Sequence, residues 1–149
     1  MKLEIIAFNR NVILPETQDC TEFLVHAFIK DRADKFTTQG SKFKFENNKI
    51  ILKPGGRISV PTGLFIFVEK GWKGTITPLE DLAKFDAVTM LNCVSTFNSS
   101  CKKELEVIIV NHSDNNYIIE HNQPLGKFRI DTEHEFQWSA TTINGEILV

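Results

Sequence analysis

Short apolar runs broken by proline and glycine are the feature that most constrains the fold of this chain. Between residues 52 and 78 such runs alternate with proline- and glycine-rich turns at 54–56, 61–63 and 71–74. Proline fixes a backbone angle and lacks an N–H donor, while glycine adopts turn conformations that other residues avoid. Helical periodicity is almost absent, and the apolar runs have the length of strands. The sequence therefore predicts an all-β fold.

The predicted strands lie close together along the whole chain. This spacing is typical of a sandwich, a jelly roll or a closed barrel. A single turn of helix is predicted over 79–85, and the polar segment 31–40 is interpreted as a mobile loop. The predicted strands are 3–8, 23–29, 43–45, 49–52, 57–61, 64–69, 73–77, 87–94, 105–111, 117–120 and 128–130.

Length and charge exclude several classes of protein. A chain of 149 residues favours one compact domain. Its net charge is −2 and no basic cluster is present, which argues against a nucleic-acid partner. No apolar run approaches the ~18 residues of a membrane helix. The N-terminus lacks the pattern of a secretory signal, so we expect intracellular synthesis.

The residues that most often bind metals show no recognisable pattern. Three cysteines without a Cys-x-x-Cys pair predict neither a disulfide framework nor a zinc site. His112 and His121 flank a turn, but ordinary surface histidines are the better interpretation. The spacing of the acids Glu80, Asp81, Asp86 and Asp114 supports no specific coordination geometry. From the residues alone we expect no metal and no cofactor.

An ordered series of motifs is more specific than any single one. The series reads Leu14-Pro15, Pro54-Gly55, Val60-Pro61-Thr62-Gly63-Leu64, Gly71-Trp72-Lys73-Gly74, Pro78 through Leu82-Ala83, Glu104 through Asn111-His112-Ser113-Asp114, and Leu125-Gly126-Lys127-Phe128. In this order the chain resembles the trimeric dUTPase (dUTP diphosphatase) family, best over 52–78 and 104–114. The resemblance implies a dUTPase-like jelly roll or distorted β-barrel over 1–130, a C-terminal arm over 131–149, and a homotrimer.

The positions that this family uses to hold phosphate and metal carry different residues here. The aspartate that helps to hold Mg²⁺ falls on Leu24, and the arginine and serine of the second motif fall on Leu79 and Glu80. A carboxylate at a triphosphate site repels its ligand, and more strongly where water is excluded. The glutamine of the fourth motif falls on Lys127.

The third motif also departs from the family. Its water-activating aspartate falls on Asn98 and its sugar-stacking tyrosine on Cys101. An amide is not a useful proton acceptor near neutral pH, so general-base help worth about 10²–10⁴ in rate is missing. We therefore expect a catalytically inactive chain.

These departures favour a non-catalytic trimer that acts as a structural or binding module, for example a viral (phage) auxiliary or decoration protein on a capsid, present in the virion. The arm carries apolar residues that are costly to leave in water, so we expect them to dock on a neighbouring subunit or another protein. One alternative is a divergent dUTP diphosphatase that uses Mg²⁺. The other is a protein that binds nucleotide through Lys102, Lys103 and Lys127 without turnover. The arm residues are Phe136, Trp138, Ile143, Ile147 and Leu148.

Overall fold

The computed structural model describes residues 1–37 and 39–148. Within them it contains twelve short strands, one α-helix and one 3-10 turn, joined by turns and loops. The helix is α1 (Glu80–Asp86) and the 3-10 turn is Ala33–Phe36. The strands are β1 (Glu4–Ala7), β2 (Glu22–His26), β3 (Phe43–Glu46), β4 (Lys49–Leu52), β5 (Arg57–Pro61), β6 (Leu64–Phe67), β7 (Trp72–Pro78), β8 (Val88–Met90), β9 (Ser95–Phe97), β10 (Glu106–Asn111), β11 (Tyr117–Glu120) and β12 (Pro124–Thr132).

The strands form small antiparallel sheets rather than one continuous sheet. Their orders are β1-β6, β5-β10-β8, β11-β4-β3 and β2-β12-β7-β9. One face of each sheet packs on a shared core, and many outward-facing residues are polar, as expected for antiparallel sheets. The core is aliphatic with a few phenylalanines, and its most deeply buried members include Val25, Ile50, Leu52, Val60, Ile76, Ile109, Ile119 and Phe128. The predicted all-β class is confirmed.

Strand ends differ from the predictions where hydrogen bonding rather than hydrophobicity sets them. The segment predicted over 23–29 leaves its sheet after His26, because Ala27 N donates to Gln123 O and Phe28 N donates to Pro61 O, both at 2.8 Å. β12 is longer than its predicted core of 128–130, because polar residues alternate with apolar ones along it. β9 was missed, since Ser-Thr-Phe has too little apolar character to identify a strand.

The polar loop predicted over residues 31–40 contains a 3-10 turn and buried side chains in its described part, 31–37 and 39–40. Arg32 and Phe36 are buried, and Phe36 stacks on Phe45 with ring centroids 4.8 Å apart. The Gln39 amide accepts a hydrogen bond from Ser59 N at 2.9 Å and donates to Ser59 O at 3.0 Å. A side chain therefore completes the outer edge of β5, where another strand would otherwise pair.

A buried ion pair joins three separate parts of the chain. Arg32 donates two hydrogen bonds to the Glu104 carboxylate, at 2.6 Å and 3.2 Å, and both side chains are about 5% exposed. The same carboxylate accepts a hydrogen bond from Gly63 N at 2.9 Å. The Arg32 guanidinium lies 4.0 Å from the centre of the Phe8 ring. Removing one partner of such a pair leaves an uncompensated buried charge.

Glu104→Gln is therefore expected to lower the free energy of unfolding by about 3 kcal/mol, because Arg32 keeps its charge but loses its counter-ion. Denaturant unfolding measures the change. Glu120→Gln is the matched control, because Glu120 forms an ion pair with Lys49 at 3.1 Å but its side chain is more than half exposed. This variant should lose less than about 1 kcal/mol of unfolding free energy. Equal losses in the two variants would contradict the structural role of Glu104.

Candidate functional site

The four-stranded sheet brings two predicted site residues into one row. Lys127 on β12 is the Cα partner of Leu24 on β2 and of Thr77 on β7. Strand alternation buries the intervening Phe128 and Ile76, so this row lies on the outer face of the sheet. Leu24 is exposed although it is apolar. Lys127 is thus a cation between an aliphatic side chain and a hydroxyl.

Leu79 and Glu80 lie at the adjoining end of β7. The strand finishes at Pro78, which is the Cα partner of Gly126, the residue just before Lys127. Leu79 then takes an extended conformation at the start of α1, and Glu80 is the exposed first helical residue. Four of the six positions singled out from the sequence therefore meet at one end of one sheet. They combine one cation and one carboxylate with two leucines.

Asn98 and Cys101 lie at the opposite end of β7. β9 pairs with β7 from Ser95 opposite Ile76 to Phe97 opposite Gly74, so Asn98 follows at the end far from Pro78. At the strand rise of about 3.3 Å per residue, the separation from Gly74 to Pro78 alone is roughly 13 Å. A single chain does not bring the two groups together.

The Asn98 side chain organises the turn that follows β9. Its Oδ1 accepts hydrogen bonds from Ser100 N at 3.0 Å and from the Ser100 hydroxyl at 2.5 Å. Cys101 N donates to Asn98 O at 3.2 Å. Lys102 and Lys103 are exposed in the same loop, just before Glu104 enters the core. An aspartate could accept the same bonds, so the turn does not itself require an amide.

Two histidines have environments that oppose protonation. Burial lowers the pKa of His26, whose Nδ1 has no hydrogen-bond partner among the residues the structure describes. Nδ1 of His121 accepts hydrogen bonds from Ile29 N and Lys30 N, both at 3.1 Å. Burial first, and then the charge of Lys30, lower the pKa of His121, while Asp31 opposes this. His121 is thus an acceptor that holds the segment before Arg32, a role the sequence did not indicate.

Acidification is expected to destabilise the fold through His121. A lowered folded-state pKa means that the unfolded chain takes up the proton first, so this stability is complete above the ordinary value of 6.5 and falls as pH drops below it. The loss of unfolding free energy between about pH 8 and about pH 5 should be smaller in His121→Gln than in the wild type. His112→Gln, which alters an exposed histidine, is the control and should match the wild type. An unchanged pH dependence in His121→Gln would contradict this role.

The C-terminal arm leaves its apolar side chains in solvent. After β12 ends at Thr132, an isolated bridge between Thr141 and Ile147 closes a small turn. The five arm residues expected to dock on a partner are all exposed: Phe136 at 82%, Trp138 at 64%, Ile143 at 105%, Ile147 at 77% and Leu148 at 57%. The sequence-based boundary at residue 130 falls inside β12, two residues before the strand ends.

The described residues supply no obvious metal cage. No group of three or more His, Cys, Asp or Glu side chains suited to a metal ion occurs within 1–37 and 39–148. The Leu24 side chain offers no oxygen at the position that the family resemblance assigns to magnesium. In the same part of the chain, no helix is long and apolar enough to cross a membrane.

Proteins of similar sequence are named as nucleotide hydrolases. The deoxyuridine 5'-triphosphate nucleotidohydrolase of Fusobacterium nucleatum is 37% identical over 89 residues, which is 60% of this chain and 61% of that protein. The enzyme of the same name from Syntrophotalea carbinolica is 30% identical over 88 residues, 59% and 60% of the two chains. The match thus spans about three fifths of each relative. No protein-family model matches the chain.

Solved dUTPase structures share the fold. The dUTPase of Streptococcus mutans superposes with a TM-score of 0.69 at 11% identity, covering 93% of this chain and all of that one. A mutant dUTPase from phage phi11 of Staphylococcus aureus gives 0.70 at 10% identity, covering 93% and 95%. The chain is therefore an all-β protein with the dUTPase fold. The resemblance to the dUTPase family predicted from the ordered motifs is confirmed by both sequence and structure.

The prediction of a non-catalytic structural module is wrong. The relatives just described are named as dUTP nucleotidohydrolases or dUTPases, and none of them is a capsid or decoration protein. The error came from giving six substituted positions more weight than the framework that surrounds them. The alternative of a divergent dUTP diphosphatase accounts better for the similarity.

Proposed function

We propose that this chain is a divergent dUTPase, which hydrolyses dUTP to dUMP and pyrophosphate. The observation that carries the proposal is the 30–37% identity to named dUTP nucleotidohydrolases over 88–89 residues, together with the shared fold. A framework of this length and similarity points to the same substrate class. The substituted positions then indicate a slower enzyme with altered phosphate contacts.

Lys127 is the proposed phosphate contact of this enzyme. It stands in the middle of the exposed row with Leu24 and Thr77, and it forms no ion pair within the described part of the chain. An ammonium group there attracts a triphosphate as a point charge. It offsets the repulsion from the Glu80 carboxylate at the end of the same sheet. Lys102 and Lys103 add positive charge on the loop after Asn98.

Magnesium is not assigned to protein ligands in this proposal. The Leu24 side chain cannot coordinate a cation, and the described residues hold no group of three or more His, Cys, Asp or Glu side chains suited to a metal ion. Mg²⁺ commonly keeps several waters and binds substrate phosphates with few protein ligands. In the assay it therefore serves as the counter-ion of the triphosphate.

The proposed site is completed by other copies of the chain in a homotrimer. The distance between Asn98 and Lys127 supports this. Lys127 lies beside one end of β7 and Asn98 follows the strand that pairs with the other end, so a single copy keeps them apart. A closed trimer repeats one interface three times and places different ends of neighbouring subunits together. The exposed arm, 131–149 in the sequence-based division, docks on a neighbouring copy. Its own residues Phe136 and Trp138 are thereby buried against that copy.

Asn98→Asp tests the proposed enzyme. The new carboxylate keeps the hydrogen bonds to Ser100 and supplies a general base, so kcat for pyrophosphate release from dUTP should rise by about 10²–10⁴. Asn47→Asp adds the same charge at an exposed turn far from the site in sequence and should leave kcat unchanged. Absence of turnover in both the wild type and Asn98→Asp would contradict the proposal.

Binding without turnover is the second candidate, favoured by the amide at residue 98, which is a poor proton acceptor, and by the exposed cations Lys102, Lys103 and Lys127. Titration calorimetry with dUTP separates the two, since heat of binding with no pyrophosphate release from any variant indicates a nucleotide-binding protein.

The proposed trimer and the docking of its arm predict different masses for the wild type and for a variant of the arm. Native mass spectrometry should find three chains in the wild type. Replacing both Phe136 and Trp138 by serine should shift the population toward single chains, because their exposed apolar area no longer gains from burial. Phe85→Ser is the control, since Phe85 is 72% exposed on α1 and lies outside the arm. A single-chain wild type, or equal dissociation in both variants, would contradict the arm's role.

A further inference from the structure

A second cationic region lies on a different sheet from Lys127. It is a cleft of about 400 Å³ between the segment 39–42, the start of β5, and Ile108 on β10. A cavity of this size is in the range of small-molecule sites. Its charged lining residues are Lys42 and Arg57, and no acid lines it. Within residues 1–37 and 39–148 neither cation forms an ion pair.

The walls of this cleft are held by hydrogen bonds that leave the two cations free. On one wall the Gln39 amide pairs with the backbone of Ser59, which fixes the segment that carries Lys42. On the other wall, Gly55 N donates to Asn111 O at 2.8 Å and Asn111 N donates to Gly56 O at 3.0 Å. The backbone of both walls is thus fixed by hydrogen bonds, while the side chains of Lys42 and Arg57 remain exposed.

Close packing fixes Lys42 over the turn before β5. A β-carbon on Gly56 would lie 2.6 Å from Lys42 O, so glycine is required for the two walls to approach. The Lys42 ammonium lies 3.6 Å from the β-carbon position of Gly55. The hydroxyl-bearing residues Ser41 and Ser59 also line the cleft and supply additional donors for an anion.

We propose that this cleft binds a diphosphate group, either as free pyrophosphate or as the end of a nucleotide, between Lys42 and Arg57. Two cations without acidic neighbours select an anion, and arginine matches phosphate oxygens with two parallel donors. The volume exceeds what a single phosphate needs. Ile108 provides an apolar surface at the side of the cleft for the organic part of a nucleotide. This site is separate from the proposed catalytic face and does not depend on turnover.

The experiment is titration calorimetry of the full chain with inorganic pyrophosphate and, separately, with adenosine 5'-diphosphate. Lys42→Gln and Arg57→Gln should each weaken binding about tenfold or more, because each removes a charge-assisted contact. Lys44→Gln is the matched control, since Lys44 is an exposed lysine two residues away that does not line the cleft. It should bind like the wild type.

The two ligands distinguish the source of the diphosphate. Equal affinity assigns the cleft to the free anion, and tighter binding of the nucleotide assigns it to a nucleotide that also contacts Ile108. Lys127→Gln distinguishes the cleft from the catalytic face. Binding that is lost in Lys127→Gln but kept in Lys42→Gln would overturn the proposal, as would the absence of binding for both ligands.

Discussion

The buried pair of Arg32 and Glu104 ties together three segments of the chain that are distant in sequence. Glu104 accepts from Arg32 and from Gly63 N, and it thereby connects the segment before the 3-10 turn, the turn between β5 and β6, and the entry to β10. The Gly63 turn leaves no room for a side chain, since a β-carbon there would lie 2.7 Å from Val12 Cγ2. Thr62 strengthens the same junction by donating from its hydroxyl to Leu105 O at 2.7 Å.

This junction implies that the framework tolerates substitution less than the exposed candidate site residues do. The Pro-Thr-Gly-Leu turn and Glu104 hold the core through buried hydrogen bonds, and replacing one partner costs several kcal/mol. Lys127, Glu80 and Asn98 are exposed at sheet ends and turns, where substitution changes chemistry at little cost in stability. The fold can thus stay the same while residues at these exposed positions change, so these residues alone do not identify the function.

Most of the fold could be predicted from short apolar runs and turn residues, because β4, β5 and β10 are largely apolar and lie next to Gly, Pro or Asn. The buried role of Arg32 could not, because nothing local distinguishes it from a solvated arginine; its partner lies 72 residues away. The ordered motifs also located Leu24, Leu79, Glu80 and Lys127, which the sheet brings together. The role of His121 escaped prediction, since it depends on two backbone donors about 90 residues earlier.

The proposed function requires a deoxyuridine nucleotide to bind between neighbouring chains. A crystal structure with a non-hydrolysable dUTP analogue tests it most directly. We expect a trimer in which the outer phosphates lie over Lys127 of one copy, and the α-phosphate and sugar lie beside the turn at Asn98 of another. Failure of the analogue to bind, or a nucleotide bound away from both residues, would contradict it.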